Sequence, residues 1–345
     1  MKLIQPSPKV SVIIPIHNGE KFLREAIESI LDQTFPNFEL IVINDGSNDS
    51  SVNIISSFTD SRIVCINNKT NTGLPRVRNQ GLYVSRGQYI AWLDCDDISI
   101  PERLETQVKF LDEHPQIGVC GAWVKIVGDG KETIARYPEN PEYIRASLLF
   151  NNFVVNSTVM MRAACTREVG LRFDLSHHLS QDYGLWVRIP KPWQITNIPR
   201  VLTVYRQHSS QVTAIHKQKQ IDIAWEIQKE QLSRLGISPT EKERMIHLSL
   251  SGLVHHTYEN LDQIFEARDY LIKLNKANKK YERYTKKAFR EVLFEKWWVV
   301  GRSNSLSIKQ ILISYWKIFS FEIVNFGLLL RTIKKLGKRF TKAQI

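Results

Sequence analysis

The run Gly87-Gln-Tyr-Ile-Ala-Trp-Leu-Asp94-Cys95-Asp96-Asp97 restricts the fold of this chain more than any other stretch. Its apolar part, residues 89–93, has the length of a buried strand bounded by turn residues. It leads straight into three carboxylates whose mutual repulsion has to be compensated. A hard divalent cation on carboxylate oxygens, shared with phosphates, is one such compensator. In open α/β sheets, ligands bind beyond the carboxyl ends of strands, which is where Asp94, Asp96 and Asp97 fall. A polar cap for a helix starting near Pro101 needs only one aspartate, so three favour a metal–phosphate site.

The unit of apolar strand and polar end recurs. Residues 10–15, 40–43, 62–66 and 89–93 read as strands, and residues 19–33, 52–58 and 75–85 have helical spacing. In the first helix Phe22, Leu23, Ala26, Ile27, Ile30 and Leu31 share a face, with Asn18 expected as N-cap. A helix over 101–113 and a strand over 117–127 follow. Strands alternating with helices predict an α/β fold, a mostly parallel sheet with helices on both faces. Past about residue 148 the rhythm changes. Strands are expected at 153–161 and 199–206 and a helix at 182–189, and beyond about residue 211 the chain reads as an α-helical C-terminal extension. The expected domains are 1–215, 216–272 and 273–345.

An apolar fraction of 43% supports a sizeable core. Cys65, Cys95, Cys120 and Cys165 are scattered without a CxxC pair, which argues against a zinc site or disulfide framework and for a reducing compartment. No signal-peptide pattern and no membrane-spanning run is visible, so a cytoplasmic location is expected. The net charge of +12 is uneven: residues 273–345 carry 18 Lys/Arg and four Glu, which leaves residues 1–272 at −2. A near-neutral body with acidic strand ends does not suit a nucleic-acid-binding protein. The basic end suits a surface-binding tail. There Ile308, Ile311, Leu312, Tyr315, Trp316 and Phe319 share a helical face, and Arg331, Lys334, Lys335, Lys338 and Arg339 follow. That pattern fits a helix lying in an anionic membrane interface. The alternative is a helical subdomain with solvated lysines.

Four strand ends carry polar groups: Pro15-Ile-His17-Asn18, Asn44-Asp45-Gly46-Ser47, Asn67-Asn68-Lys69 and the acidic run. Asp45 is either turn chemistry or an acceptor for a base or sugar. The segment Asn71-Thr-Gly73-Leu-Pro-Arg76-Val-Arg78-Asn79 opens a helix, and helix N-termini with arginines attract phosphate.

Taken in order and spacing, V-S-V-I-I-P-I-H-N-G-E, L-I-V-I-N-D-G-S-N-D, N-T-G-L-P-R-V-R-N and G-Q-Y-I-A-W-L-D-C-D-D closely resemble glycosyltransferase family 2 over roughly residues 9–125. The resemblance implies a GT-A fold and an inverting enzyme that uses a nucleotide-diphosphate sugar. Ser180-Gln-Asp182-Tyr-Gly-Leu-Trp-Val-Arg resembles the family's catalytic-base segment, which makes Asp182 the base. Val204-Tyr-Arg206-Gln-His208-Ser-Ser-Gln is similar to the loop that closes over the diphosphate. By position, the resemblance assigns Pro15, His17, Asn18, Asp45, Arg76, Arg78, Asp94, Cys95 and Arg206 to the nucleotide sugar. It assigns Asp96 and His208 to Mg²⁺ or Mn²⁺. It further implies a glycan or lipid-linked acceptor, reached at the inner face of the cell membrane during surface polysaccharide or glycan assembly.

The chain departs from the family where Asn44 and Gln181 replace frequent acids. A sugar nucleotidyltransferase would also use carboxylate-bound metal, but its Gly-rich N-terminal loop is absent, since residues 10–20 hold only Gly19. Against the alternative of a catalytically silent sugar-nucleotide binder stands the presence of Asp94, Asp96 and Asp182 together.

Overall fold

The computed structural model describes residues 7–167, 170–208, 211, 216–254, 258 and 260–303. The chain divides into two compact units, Met1–Leu148 with Asn152–Gln228, and Leu149–Asn151 with Lys229–Ile345.

The first unit is built on one nine-stranded sheet. Its elements are β1 (Val10–Ile16), α1 (Leu23–Leu31), β2 (Phe38–Asp45), α2 (Ser51–Ser56), β3 (Ile63–Asn68), α3 (Leu74–Val84), β4 (Tyr89–Trp92), β5 (Ile98–Ser99), α4 (Arg103–Glu113), β6 (Ile117–Gly128) and β7 (Lys131–Ala135). Then come α5 (Pro141–Ser147), a 3₁₀ turn Asn156–Thr158, β8 (Met160–Arg162), α6 (Ala164–Arg167), α7 (Gln181–Trp186), β9 (Gln194–Arg206) and α8 (Lys217–Arg234), whose end enters the second unit. Strand order is β3-β2-β1-β4-β8-β6-β9-β5, with β7 added to β6. The first four strands are parallel; β8 inverts the direction, and β6 and β9 run parallel to each other.

Both faces of the sheet are covered, because every residue of β1 and β2 is buried. On one face Val10, Val12, Ile14 and Ile16 pack in one cluster with Leu23, Ala26, Ile27 and Ile30 of α1 and Leu104, Val108 and Leu111 of α4. On the other, α3 comes so close that a Cβ at Gly81 would lie 2.7 Å from the Ile13 side chain. Order reverses between β1 and β4: β2 and β3 lie to one side of β1, and β4 lies to the other. The crevice beyond the carboxyl ends of β1 and β4 is the switch point of the sheet.

Two local expectations are corrected. Asn18 does not cap α1, which starts at Leu23 with Phe22 at its N-cap. Asn18 instead has φ +54, and its amide oxygen accepts from the Asn48 N–H at 3.0 Å, tying the β1–α1 loop to the β2–α2 loop. The strand expected over 153–161 shrinks to β8, preceded by the 3₁₀ turn. Side chains compete with the ladder there: the Thr158 hydroxyl donates to the Val155 carbonyl at 2.7 Å, and the Asn152 side chain accepts from the Val154 N–H.

The second unit is helical. It contains the end of α8, α9 (Glu241–Leu250), α10 (Leu261–Tyr281) and α11 (Lys286–Ser303). Thr240 and Glu243 form a capping box that starts α9. The short excursion Leu149–Asn151 is gripped by this unit. Buried His247 lies 3.0 Å from the Leu149 carbonyl and 2.9 Å from the Tyr270 hydroxyl, and it stacks on Phe150. Lys296 donates to Asn151 Oδ1 at 2.5 Å. Burial lowers the His247 imidazole to about 3 and the Lys296 ammonium to about 8. No disulfide joins any of the four cysteines, all of which lie among the described residues. Among the described residues no helix is long and apolar enough to cross a membrane. The amphipathic face expected at 308–319 and the basic cluster after it lie outside the described residues.

Candidate active site

The carboxyl ends of β1, β2 and β4 deliver their polar residues to the switch point. β1 hands on to His17 and Asn18, β2 ends in Asp45, and β4 runs through Leu93 into Asp94. Pro15 remains inside β1 and is buried. His17 Nδ1 lies 2.9 Å from the Asp45 carbonyl, which binds the first two strand ends together.

Asp45 is occupied by its own loop. Its Oδ1 accepts from Asn68 Nδ2 and the Thr72 hydroxyl, and its Oδ2 accepts from the N–H groups of Thr72 and Gly73, all at 2.8–2.9 Å. Burial would raise this carboxyl, but the hydrogen bonds outweigh it and hold Asp45 below its ordinary value. The residue therefore pins the start of α3, the helix that supplies the arginines. Arg76 is exposed on its first turn. Arg78 is buried on the opposite side, with 3% of its side chain accessible, and donates to Asp94 Oδ1 at 2.8 Å. Its guanidinium also lies over the Phe173 ring at 5.6 Å.

The acidic turn sorts its members by environment. Asp94 keeps about a third of its side chain exposed and has its backbone N–H bound to Ser157 Oγ. Asp96 Oδ2 lies 3.1 Å from His208 Nε2. Burial raises the Asp96 carboxyl, Asp94 adds to the rise, and His208 opposes it. Asp97 is fully buried and accepts from the Arg206 N–H. Burial, with Asp96 and Asp94 beside it, drives this carboxyl well above the carboxylate range. Cys95 faces Gly19, where an added Cβ would stand 3.1 Å from its sulfur, and burial pushes its thiol far up. None of these aspartates caps α4, whose N-cap is Glu102.

Two cations support the turn. Arg206 pairs with Glu25 and lies over the Phe22 ring at 4.9 Å, while its Nη1 has no partner among the described residues. Arg103, the first residue of α4, is fully buried and donates to the carbonyls of Trp92 and Val159. Burial lowers it to about 10, and the field of Cys120, Asp97 and Asp94 resists that change. Sequence reading missed Arg103, because a charged residue in the first turn of a helix normally faces water.

Asp182 occupies the second position of α7, after Ser180 at the N-cap. Burial raises its carboxyl, Arg78 and the backbone N–H groups at the start of α7 lower it, and Asp94 raises it again. Arg78 is thus the shared counter-charge of Asp94 and Asp182. Gln181 completes the set. With its amide oxygen toward Arg78 Nη1 at 2.6 Å, its nitrogen donates to the carbonyls of His178 and His177 at 2.7 and 3.2 Å. An ionised Glu there would turn an acceptor on two carbonyls, so the amide suits this position. Asn152 also escaped sequence reading; its Nδ2 donates to Asp182 Oδ2 at 2.8 Å.

The pair Asp96–His208 fits a divalent ion as two adjacent ligands, since ligands about 2.1 Å from one octahedral ion stand about 3 Å apart. Among the described residues no group of three or more His, Cys, Asp or Glu side chains is arranged to hold one metal ion. Such an ion would take its remaining ligands from phosphate and water, which is the habit of Mg²⁺.

The model of the family described as Glycosyl transferase family 2 matches residues 11–167. An uncharacterized glycosyltransferase of Haemophilus influenzae is 33% identical over 246 residues, covering 67% of this chain and 76% of that protein. One from Methanocaldococcus jannaschii is 32% identical over 222 residues, covering 61% and 76%. Among solved structures, S. aureus TarS 1-349 in complex with UDP-GlcNAc matches with a TM-score of 0.55 at 17% identity, over 92% of this chain and 95% of that one.

Proposed function

This chain belongs to glycosyl transferase family 2, and from that premise we propose that it transfers a sugar from a nucleotide-diphosphate sugar to an acceptor hydroxyl, with inversion at the anomeric carbon. The observation that carries the reading is the convergence of Asp94, Asp182 and their shared Arg78 beside the Asp96–His208 pair. In one displacement the acceptor oxygen bonds to the anomeric carbon as the bond from that carbon to the diphosphate oxygen breaks. Asp182 takes the hydroxyl proton, and its raised carboxyl is a stronger base than an ordinary aspartate. Arg206, with Nη1 unengaged among the described residues, donates toward the departing diphosphate. A bound Mg²⁺ or Mn²⁺ on Asp96 and His208 would supply Lewis-acid stabilisation of the same charge. Asp45 and His17 hold the loops that the nucleoside meets.

We assign the acceptor to a glycan or lipid-linked glycan in surface polysaccharide assembly, met at the cytoplasmic membrane face. The acceptor class follows from the family, and the membrane contact is supported by the net +14 carried by residues 273–345.

The test is a panel of UDP-, GDP- and dTDP-sugars with Mn²⁺, read by thermal stabilisation and by release of nucleoside diphosphate. UDP-GlcNAc comes first, because a fold neighbour is described with it bound. One donor should stabilise the protein in a metal-dependent way, and Asp96→Ala should lose that effect. Asp182→Asn should bind the donor and lose turnover by about 10²-fold or more. Turnover retained in Asp182→Asn would overturn the base assignment.

A further inference from the structure

We propose that Asn152 is the positioning residue that orients the Asp182 carboxylate and holds it ionised for the acceptor proton. The inference rests on the reading of Asp182 as the base. The Asn152 amide is engaged at both ends. Its Oδ1 accepts from the Val154 N–H at 3.0 Å, so its Nδ2 is turned toward Asp182 and donates to Oδ2 at 2.8 Å. The same short segment holds the other end of α7, where Trp186 Nε1 donates to the Val154 carbonyl at 3.3 Å. The loop 152–154 therefore grips α7 at its second and last residues. Val154 and Trp186 are both buried, which makes that grip rigid.

The chemistry follows from the donor count. The backbone N–H groups of Tyr183 and Asp182 hydrogen-bond the Asp182 carboxylate, and the Asn152 Nδ2–Oδ2 bond fixes its orientation beside them. The bond also stabilises the ionised form, which burial and Asp94 disfavour and which Arg78 and the backbone at the start of α7 support. The charged groups acting on Asp182 are Arg78 from α3 and Asp94 from the turn after β4. The Asn152 amide accepts from Val154 through its oxygen and donates to Asp182 through its nitrogen at the same time. Serine satisfies Val154 but does not reach Asp182. Aspartate satisfies Val154 but turns a second carboxylate on the first.

The experiment is a carboxyl titration by ¹³C NMR of the full chain labelled at aspartate, with the signal of residue 182 identified by its loss in Asp182→Asn. In Asn152→Ser the midpoint should rise by about one pH unit, the size expected for one charge-assisted hydrogen bond. In Asn152→Asp, which keeps the Val154 contact and thereby the loop, it should rise further, because two carboxyls share one proton. The acid limb of turnover, read as UDP release from UDP-GlcNAc, should move upward by the same amount. A midpoint unchanged in both variants overturns the inference. Should Asp182→Asn keep wild-type turnover, the base assignment falls instead, whatever the titration gives.

Discussion

At the scale of single residues, the crevice is organised by side chains that satisfy one another before any substrate arrives. Asp45 shows this most fully, with four hydrogen bonds on two oxygens. Its folded carboxyl lies below its ordinary 3.8, so its contribution is present above that value and is lost as pH falls through the lower folded one. Asp45→Asn should therefore be about 1.5–3 kcal/mol less stable than wild type at pH 7, and the gap should narrow below pH 4. Urea unfolding at the two pH values checks this; a gap that stays constant with pH would mean that the charge contributes nothing. Asp45, Asp94, Asp96 and Asp182 were legible in the sequence because each sits in a recognisable run. Asn152, Arg103 and Glu25 were not, because an isolated polar residue has no period and its partners lie 30, 11 and 181 positions away.

At the scale of elements, the alternation of strand and helix was readable almost throughout the stretch from β1 to β6. The expected strand over 10–15 became β1 at Val10–Ile16, and the helix over 75–85 became α3 at Leu74–Val84. Buried parallel strands announce themselves as continuous apolar runs. The reading faltered where side chains bond their own backbone, as in 152–158, and at Asn18, where tertiary bonds to the next loop replaced a cap. The β2–α2 turn belongs to the same class of local constraint. Gly46 has φ +65, and a Cβ there would stand 2.5 Å from the Thr70 backbone, whereas at Gly130 (φ +69) a Cβ meets nothing within 4 Å. Gly130→Ala should cost about 1 kcal/mol from backbone strain alone, and Gly46→Ala about 3 kcal/mol, because the steric conflict adds to the strain. Melting temperatures of the two variants compare them directly, and equal shifts would refute the role of the contact.

At the scale of the whole molecule, the charge is divided: near-neutral over residues 1–272 and net +14 over residues 273–345. If the basic segment serves an anionic membrane surface, the full chain should co-float with vesicles containing anionic phospholipid and not with neutral ones. Reversing the exposed Lys276, Lys279, Lys280, Lys286 and Lys287 to Glu should weaken that binding at least tenfold, since each cation near such a surface contributes about 1 kcal/mol. Flotation unaffected by the reversal would remove those lysines from the interaction. The sequence by itself determined the α/β class, the strands whose ends carry the chemistry, the family and the uneven charge, because apolar periodicity, clustered carboxylates and composition are properties of neighbours along the chain. Only the tertiary structure decided that one buried arginine serves both Asp94 and Asp182, that Asp97 is sealed from water while Asp94 is not, and that Asn152 reaches Asp182. Those relations depend on which strand ends meet at the switch point, and distance through space, not along the chain, sets hydrogen bonding and the local dielectric.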